Sequence, residues 1–539
     1  MLRAVEAWRL VRMTFSKQLT IPHPRLIPTM TFNKILAGAG FAALLGSASL
    51  GLSSCKKDFI DLNDPTRIPT TEGYTDSLSI LNGVTAAYAG LQDVYGKSGS
   101  NNGLYVFSEI PSDNATTVIS GQLLNEFDFF GITTSNPRLQ SQWTVNYRTI
   151  ARCNVVLARA GAVKLTAATR ARYFAEVKFI RALTYFNSVR IWGDIPLVTT
   201  EIATIPDAYT YGRRPAAEVY AQIEKDLTDA IADLPATVAA ADLGRVTKSA
   251  AQGILGKVYL TEKKYSDAAA ILNTIIATNN YALQATYANI FATNNEMNSE
   301  ILFAVRYSKG ALGIGSPFAN NFATAASLVG GIGTSDQFFS LHKGLVDAFT
   351  ANGTTDVRAA TSYGTGTVGS TTVYYTKKYT DTPTASLDAE NDWIVLRYAD
   401  VLLMSAEAVN EASGVSPAAL EAVNKVIRRS RNLPVATPSA TVDLPAGTTT
   451  AVLRDRIELE RRLELSMEGH RWFDLLRTDR AGVNRALQVM NAYFTQYSIR
   501  TNNAATGTIV QIDQHNLLFP LPIQEIQTNP ILTQNPGYN

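Results

Sequence analysis

Cysteine is almost missing from this chain, which has only Cys55 and Cys153 in 539 residues. Two thiols cannot build a disulfide framework, so the fold must be held by its core. Histidine is nearly as scarce. His23, His342, His470 and His515 form no H-x-x-H, H-E-x-x-H or Cys/His cluster, so no zinc site is legible and no cofactor is expected. No G-x-S-x-G nucleophile turn occurs after residue 54. Beyond residue 54 no apolar stretch approaches the roughly 20 residues of a spanning helix, so the body reads as soluble. An excess of positive charge is lacking too. The chain has 48 basic and 46 acidic residues; residues 1–54 hold six and one of these, leaving 42 against 45, a net of −3. No basic stripe survives to track a phosphate backbone, which argues against a nucleic-acid partner.

What is present starts with Cys55. It follows the run Ile35–Ser54, rich in Gly, Ala and Ser, and directly follows Leu52-Ser53-Ser54. Small residues let a peptidase grip an extended backbone, and a cysteine after the cut offers a thiol for lipid. The pattern predicts an exported lipoprotein, cleaved before Cys55 and held to a membrane by acyl chains. The basic start of such a signal is Met30–Lys34, so the true start is expected at Met30 and residues 1–54 are set aside as over-extended start plus signal. Residues 55–70 read as a lipidated tether. Residues 71–539 read as one domain, with repeat helices in 71–278 and variable loops in 279–539. Cys153 lies in a helical pattern and reads as a small buried hydrophobe.

Apolar residues recur at spacings of three and four over Ser77–Tyr95, Trp143–Ala160, Ala171–Ile191 and Tyr220–Asp233. Ala250–Ile276 carries a tetratricopeptide-like signature. Gly256 and Ala268 let two antiparallel helices approach closely, Tyr259 fills the gap beside the turn, and Glu262–Tyr265 make the turn. One such unit cannot bury its own face, so neighbours are implied, among them 397–412 with 417–431 and a helix from Asp455 to Leu476. The expected fold is mainly α: a tetratricopeptide-repeat-like scaffold of helix hairpins, with a loop-rich irregular region carrying short strands. Glu300–Val305 and Thr371–Tyr379 are the strand candidates.

Gly364–Gly369 spells G-x-G-x-x-G, but strand-like Ser370–Tyr375 follows where a dinucleotide site needs a helix. It reads as a loop. Glu460, Glu464 and Glu468 stand four apart among arginines. Paired carboxylates can serve glycoside hydrolysis, but three on one helix face amid arginines read as structural ion pairs.

Several segments together resemble the SusD/RagB family of outer-membrane nutrient-binding lipoproteins. They are Cys55–Asn63, Trp143–Asn154, Ala175–Phe186 with Trp192–Val198, Arg245–Lys248 before the repeat hairpin, Leu396–Ala408, Glu460–Leu476 and the tail Leu521–Tyr538. Asp400 departs from the family's usual glutamate. The resemblance implies a four-repeat helical scaffold, no catalysis, and a place on the outer membrane facing outwards. It also implies a partner, a SusC-like TonB-dependent barrel, to which the protein delivers oligosaccharide or, in some members, peptide. The ligand residues do not carry over. Physical chemistry supplies candidates instead, since aromatic rings stack on sugar C–H faces and amides bind hydroxyls. These are Tyr105 with Asn102, Phe130 in the Phe127–Phe130 cluster, and Tyr363 with the adjacent Tyr374 and Tyr375, of which Tyr363 and Tyr375 are singled out. A peptide-binding protein and, further off, a glycoside hydrolase are the alternatives.

Overall fold

The computed structural model describes residues 73–97, 103–117, 123–324, 327, 332, 340–368, 370–501 and 506–538. Four helix hairpins form its scaffold. Helix α1 (Ser77–Tyr95) packs on α2 (Pro137–Arg159), and α3 (Ala167–Trp192) on α4 (Ala216–Asp233). Next come α5 (Lys248–Thr261) with α6 (Tyr265–Ala277), and, after α7 (Lys343–Ala351), α8 (Tyr398–Ser413) with α9 (Pro417–Ser430). Helix α10 (Thr450–Glu464) lies against α8, followed by the short α11 (Arg471–Arg477) and by α12 (Arg485–Gln496). The mainly helical scaffold is as the sequence predicts, and α1 has the expected bounds.

Local chemistry sets the starts. Asp76 and Ser79 form a reciprocal capping box on α1, and Asn136 caps α2 ahead of Pro137. Thr247 and Ser416 cap α5 and α9. Helix α3 is buried nearly all round from Ala175 to Trp192, as befits a central helix. In the α5/α6 hairpin, a Cβ on Gly256 would lie 2.6 Å from Leu272 side-chain atoms, so the close approach needs the glycine. Cys153 is fully buried, and burial pushes its thiol up to about 12.

The expected helix Asp455–Leu476 is broken instead. Met467 and Gly469 adopt left-handed backbone (φ 63° and 80°) between α10 and α11. Side chains take up the freed backbone groups. Glu109 accepts the Met467 and Gly469 N–H groups (2.8 and 3.2 Å), while Lys378 donates to the Glu464 and Ser466 carbonyls (3.2 and 2.6 Å). Tyr379 donates its hydroxyl to the Met467 carbonyl (3.0 Å). These partners come from distant parts of the chain, so no local periodicity signals the break.

Over the scaffold lies the irregular region. Its main sheet is antiparallel, in the order β1 (Ala115–Thr116), β3 (Ser340–Leu341), β5 (Thr371–Thr376), β4 (Tyr363–Val368). Strand β2 (Ile301–Val305) pairs with β6 (Trp393–Arg397), which leads directly into α8. Of the run read as a loop, Gly364–Val368 is therefore strand, and Gly369 lies outside the described residues. The second candidate strand stops at Thr376, short of Tyr379.

Candidate functional site

The three glutamates read from the sequence sit in a buried ionic network. Arg358 donates to Glu460 (2.7 Å), Glu464 (3.3 Å) and Asp356 (2.7 Å). Arg397 reaches Glu464 (2.5 Å), Glu300 (3.0 Å) and both oxygens of Glu468 (2.8 and 2.9 Å). Arg429 bridges Glu300 (3.1 Å) and Glu464, and Lys378 donates to Glu468 (2.7 Å). Burial alone would raise the Glu464 carboxyl, but Arg429, Arg397 and Arg358 outweigh it and hold it at about 2. Burial pushes the Lys378 ammonium down to about 8, with Glu468 opposing. Glu460, Glu464 and Glu468 are at most 2% exposed. Carboxylates this enclosed and this fully paired have no open bond to flank, so the ladder is structural. Its elements explain its purpose. Arg358 and Lys378 flank the β4/β5 hairpin, Arg397 ends β6, and Glu460 and Glu464 belong to α10. The network ties the irregular region to the scaffold.

Two of the ring candidates belong to the core. Tyr105 is fully buried, edge-on to Phe322 (5.0 Å between centroids) and near Trp393 (6.4 Å). Phe130 is 9% exposed and packs on Trp472 (5.3 Å) and Phe494 (6.0 Å). Neither leaves a ring face for a sugar, and both are withdrawn as stacking platforms. The polar neighbours of Phe130 are likewise occupied. Glu126 accepts from the Thr133 N–H and hydroxyl and from the Asn136 amide. Asp128 accepts from the Thr117 N–H and the Thr116 and Thr117 hydroxyls. Burial pushes Asp128 up to about 6 all the same. Cys55 and Asn102 lie outside the described residues.

The half-buried rings Tyr363 and Tyr375 are on the β4/β5 hairpin. Its register pairs Tyr363 with Thr376, Gly364 with Tyr375 and Thr365 with Tyr374. Directly opposed residues share a face and alternate residues do not. Tyr363 and Tyr374 therefore share one face, with the exposed Thr365 and Thr367, and Tyr375 points to the other. The structure brings Tyr363 and Tyr374 together edge-to-face at 5.9 Å, with Phe349 of α7 behind Tyr363 at 5.8 Å. Tyr375 lies across Gly364, where a Cβ would come within 2.5 Å of its ring. That contact explains the glycine in the strand. The hairpin thus presents an aromatic pair framed by threonine hydroxyls, a surface suited to apolar C–H faces ringed by hydroxyls.

A model described as the SusD family matches residues 253–538. The chain belongs to the SusD family. A second family model, described as starch-binding and associating with the outer membrane, matches residues 58–260. SusD-like protein P25 of Formosa agariphila is 27% identical over 530 residues, covering 90% of this chain and 96% of its own. A SusD-like protein of Bacteroides ovatus is 23% identical over 560 residues, 92% of this chain and 97% of its own. Among solved structures, a SusD homolog from Bacteroides thetaiotaomicron aligns with a TM-score of 0.73 at 22% identity, covering 88% of this chain and all of that one. A laminarin-binding SusD-like protein aligns at 0.69 and 25% identity, over 86% of this chain and all of its own.

For this SusD family member, the 253–538 match takes in both the ionic network and the tyrosine hairpin. Among the described residues no group of three or more His, Cys, Asp or Glu side chains is arranged to hold a metal ion. Nor is any described helix long and apolar enough to cross a membrane. Tyr374, not Tyr375, is the ring that meets Tyr363. Period-two alternation from Thr371 gives its face, but choosing Tyr374 over Tyr375 as the partner of Tyr363 needs the register, which the turn sets.

Proposed function

We propose that the protein is a surface-exposed outer-membrane lipoprotein that binds oligo- or polysaccharide and delivers it to a SusC-like, TonB-dependent barrel. The observation that carries the reading is family membership joined to a 25%-identical SusD-like neighbour that binds laminarin. The description of the second matching model as starch-binding and associating with the outer membrane supports the compartment. Acyl chains on Cys55 supply the anchor in this reading. Stacking at the Tyr363/Tyr374 face contributes to ligand binding. In this reading the protein is a binder without hydrolytic chemistry, which the ion-paired state of Glu460, Glu464 and Glu468 supports.

Native gels cast with laminarin, starch or xylan test the reading: retardation by at least one glycan, with no release of reducing ends, is expected. Reducing-end release by a pure preparation would overturn it in favour of a hydrolase. Binding of a casein hydrolysate with no glycan retarded would favour the peptide reading. Labelled palmitate should enter the wild type and not Cys55→Ser, and co-purification should recover a barrel protein.

A further inference from the structure

A cleft of about 560 Å³ opens between α7, α10 and α12. Its lining includes small aliphatic side chains from all three helices, Ala348, Leu459, Val489 and Ala492. Polar groups line it as well: Asp347, Arg462, Gln488, Gln496, Tyr493 and Tyr497. The deep end is a built polar floor. Arg471 grips both oxygens of Asp113 (2.7 and 3.1 Å), and both residues are more than nine-tenths buried. Arg462 binds Asp113 (3.0 Å) and the Asn114 side chain (2.9 Å). At the mouth, Asp347 accepts from Lys343 (2.6 Å) and from the Tyr497 hydroxyl (2.8 Å), and Glu458 accepts from Arg485 (3.0 Å).

The charges decide the class of ligand. The lining holds four carboxylates (Asp113, Asp347, Asp455 and Glu458) against three guanidinium groups (Arg462, Arg471 and Arg485, the first two sharing Asp113), so no net positive charge remains to draw an anion such as phosphate. The Gln488 amide is held by the Arg480 carbonyl and Arg485, and the Tyr497 hydroxyl by Asp347, which leaves the Gln496 amide and the Tyr493 hydroxyl as directional groups beside the aliphatic lining. A ligand with apolar C–H faces and many neutral hydroxyls satisfies both.

We propose that this cleft is a second carbohydrate subsite, taking a short stretch of a neutral oligosaccharide. It rests on the glycan-binding reading above and adds a location to it. The test uses the full chain and native gels cast with laminarin, starch or xylan. Two substitutions at exposed positions, Ala492→Trp to fill the cleft and Gln496→Ala to remove an amide at its mouth, are compared with wild type, with circular dichroism confirming the fold. Ala492→Trp should weaken retardation by the binding glycan by roughly ten-fold, the equivalent of one or two lost hydrogen bonds, and Gln496→Ala by about three-fold. If wild type is retarded and both variants behave identically to it, the cleft proposal falls while the glycan reading stands. If no glycan retards the wild type, both fall. A casein hydrolysate that competes where no glycan does overturns the subsite as a carbohydrate site.

Discussion

In the α5/α6 hairpin, two helices meet through a missing atom: Gly256 leaves room for Leu272, with Ala268 and Leu272 fully buried. Between Glu300 and Arg397 the chain meets the same scaffold through ions: Arg358, Lys378 and Arg397 insert among Glu460, Glu464 and Glu468. One contact is apolar and local in sequence. The other spans more than a hundred residues and is charged. An apolar interlock tolerates changes that conserve volume. A buried ion network does not tolerate losing one member, because the survivors stay buried without partners. Irregular backbone has little apolar periodicity to offer a scaffold, and the charges give it a unique seat.

The sharpest way to break this comparison is Glu464→Gln. Glu464 faces Arg358, Arg397 and Arg429, all essentially inaccessible to water. Losing that charge should cost about 3–5 kcal/mol in urea unfolding. A loss below about 1 kcal/mol would show that the ions do not hold the irregular region in place. Gly256→Ala tests the other side. Its added methyl must push into Leu272, for an expected loss of about 1–3 kcal/mol. If it costs more than Glu464→Gln, the ranking of the two contacts is reversed.

How much was legible follows the same division. The bounds of α1 and the α5/α6 turn come from 3.6-residue periodicity and turn chemistry, which are local, while the count of four hairpins comes from the family resemblance. The failures are non-local. The Glu464–Arg471 break depends on Glu109, Lys378 and Tyr379 arriving from elsewhere. Tyr105 and Phe130 look like loop aromatics beside polar residues, yet rings from distant elements enclose them. The Gly364–Gly369 run looks like a loop because Gly364 and Gly366 are read without their cross-strand partners, Tyr375 and Val373.

The pH dependence separates the two kinds of buried carboxylate. Glu464 is held down to about 2 from an ordinary 4.5. Its contribution is present above pH 4.5 and lost as pH falls towards 2. Glu109 has no buried cation bonded to it, and burial pushes it up to about 7. Its sign is opposite: the native state binds the proton more tightly, so its contribution is present below 4.5 and is lost as pH rises to about 7. Glu109→Gln should therefore flatten the fall in stability between pH 4.5 and 7 by up to one proton's worth, and leave the acid limb below 4.5 in place. Thermal unfolding across pH 3–8 measures both limbs. An unchanged neutral limb would mean that Glu109 is ionised in the folded protein.

The smallest effect expected on stability is at the hairpin, where it divides binding from folding. Tyr374→Ala removes an edge-to-face contact with Tyr363 worth about 0.5–1.5 kcal/mol and leaves the strand pairing intact. Tyr375→Ala removes a ring of similar size from the opposite face, where it covers Gly364. If the Tyr363/Tyr374 face stacks on glycan, only Tyr374→Ala should weaken retardation in a glycan gel, by several-fold, although both shift the melting temperature by a few degrees at most. Equal loss of binding would mean that the hairpin acts through its shape alone. Loss only in Tyr375→Ala would move the stacking surface to the Gly364 side. The register of one hairpin thus turns two adjacent tyrosines, indistinguishable by composition, into a control and a test.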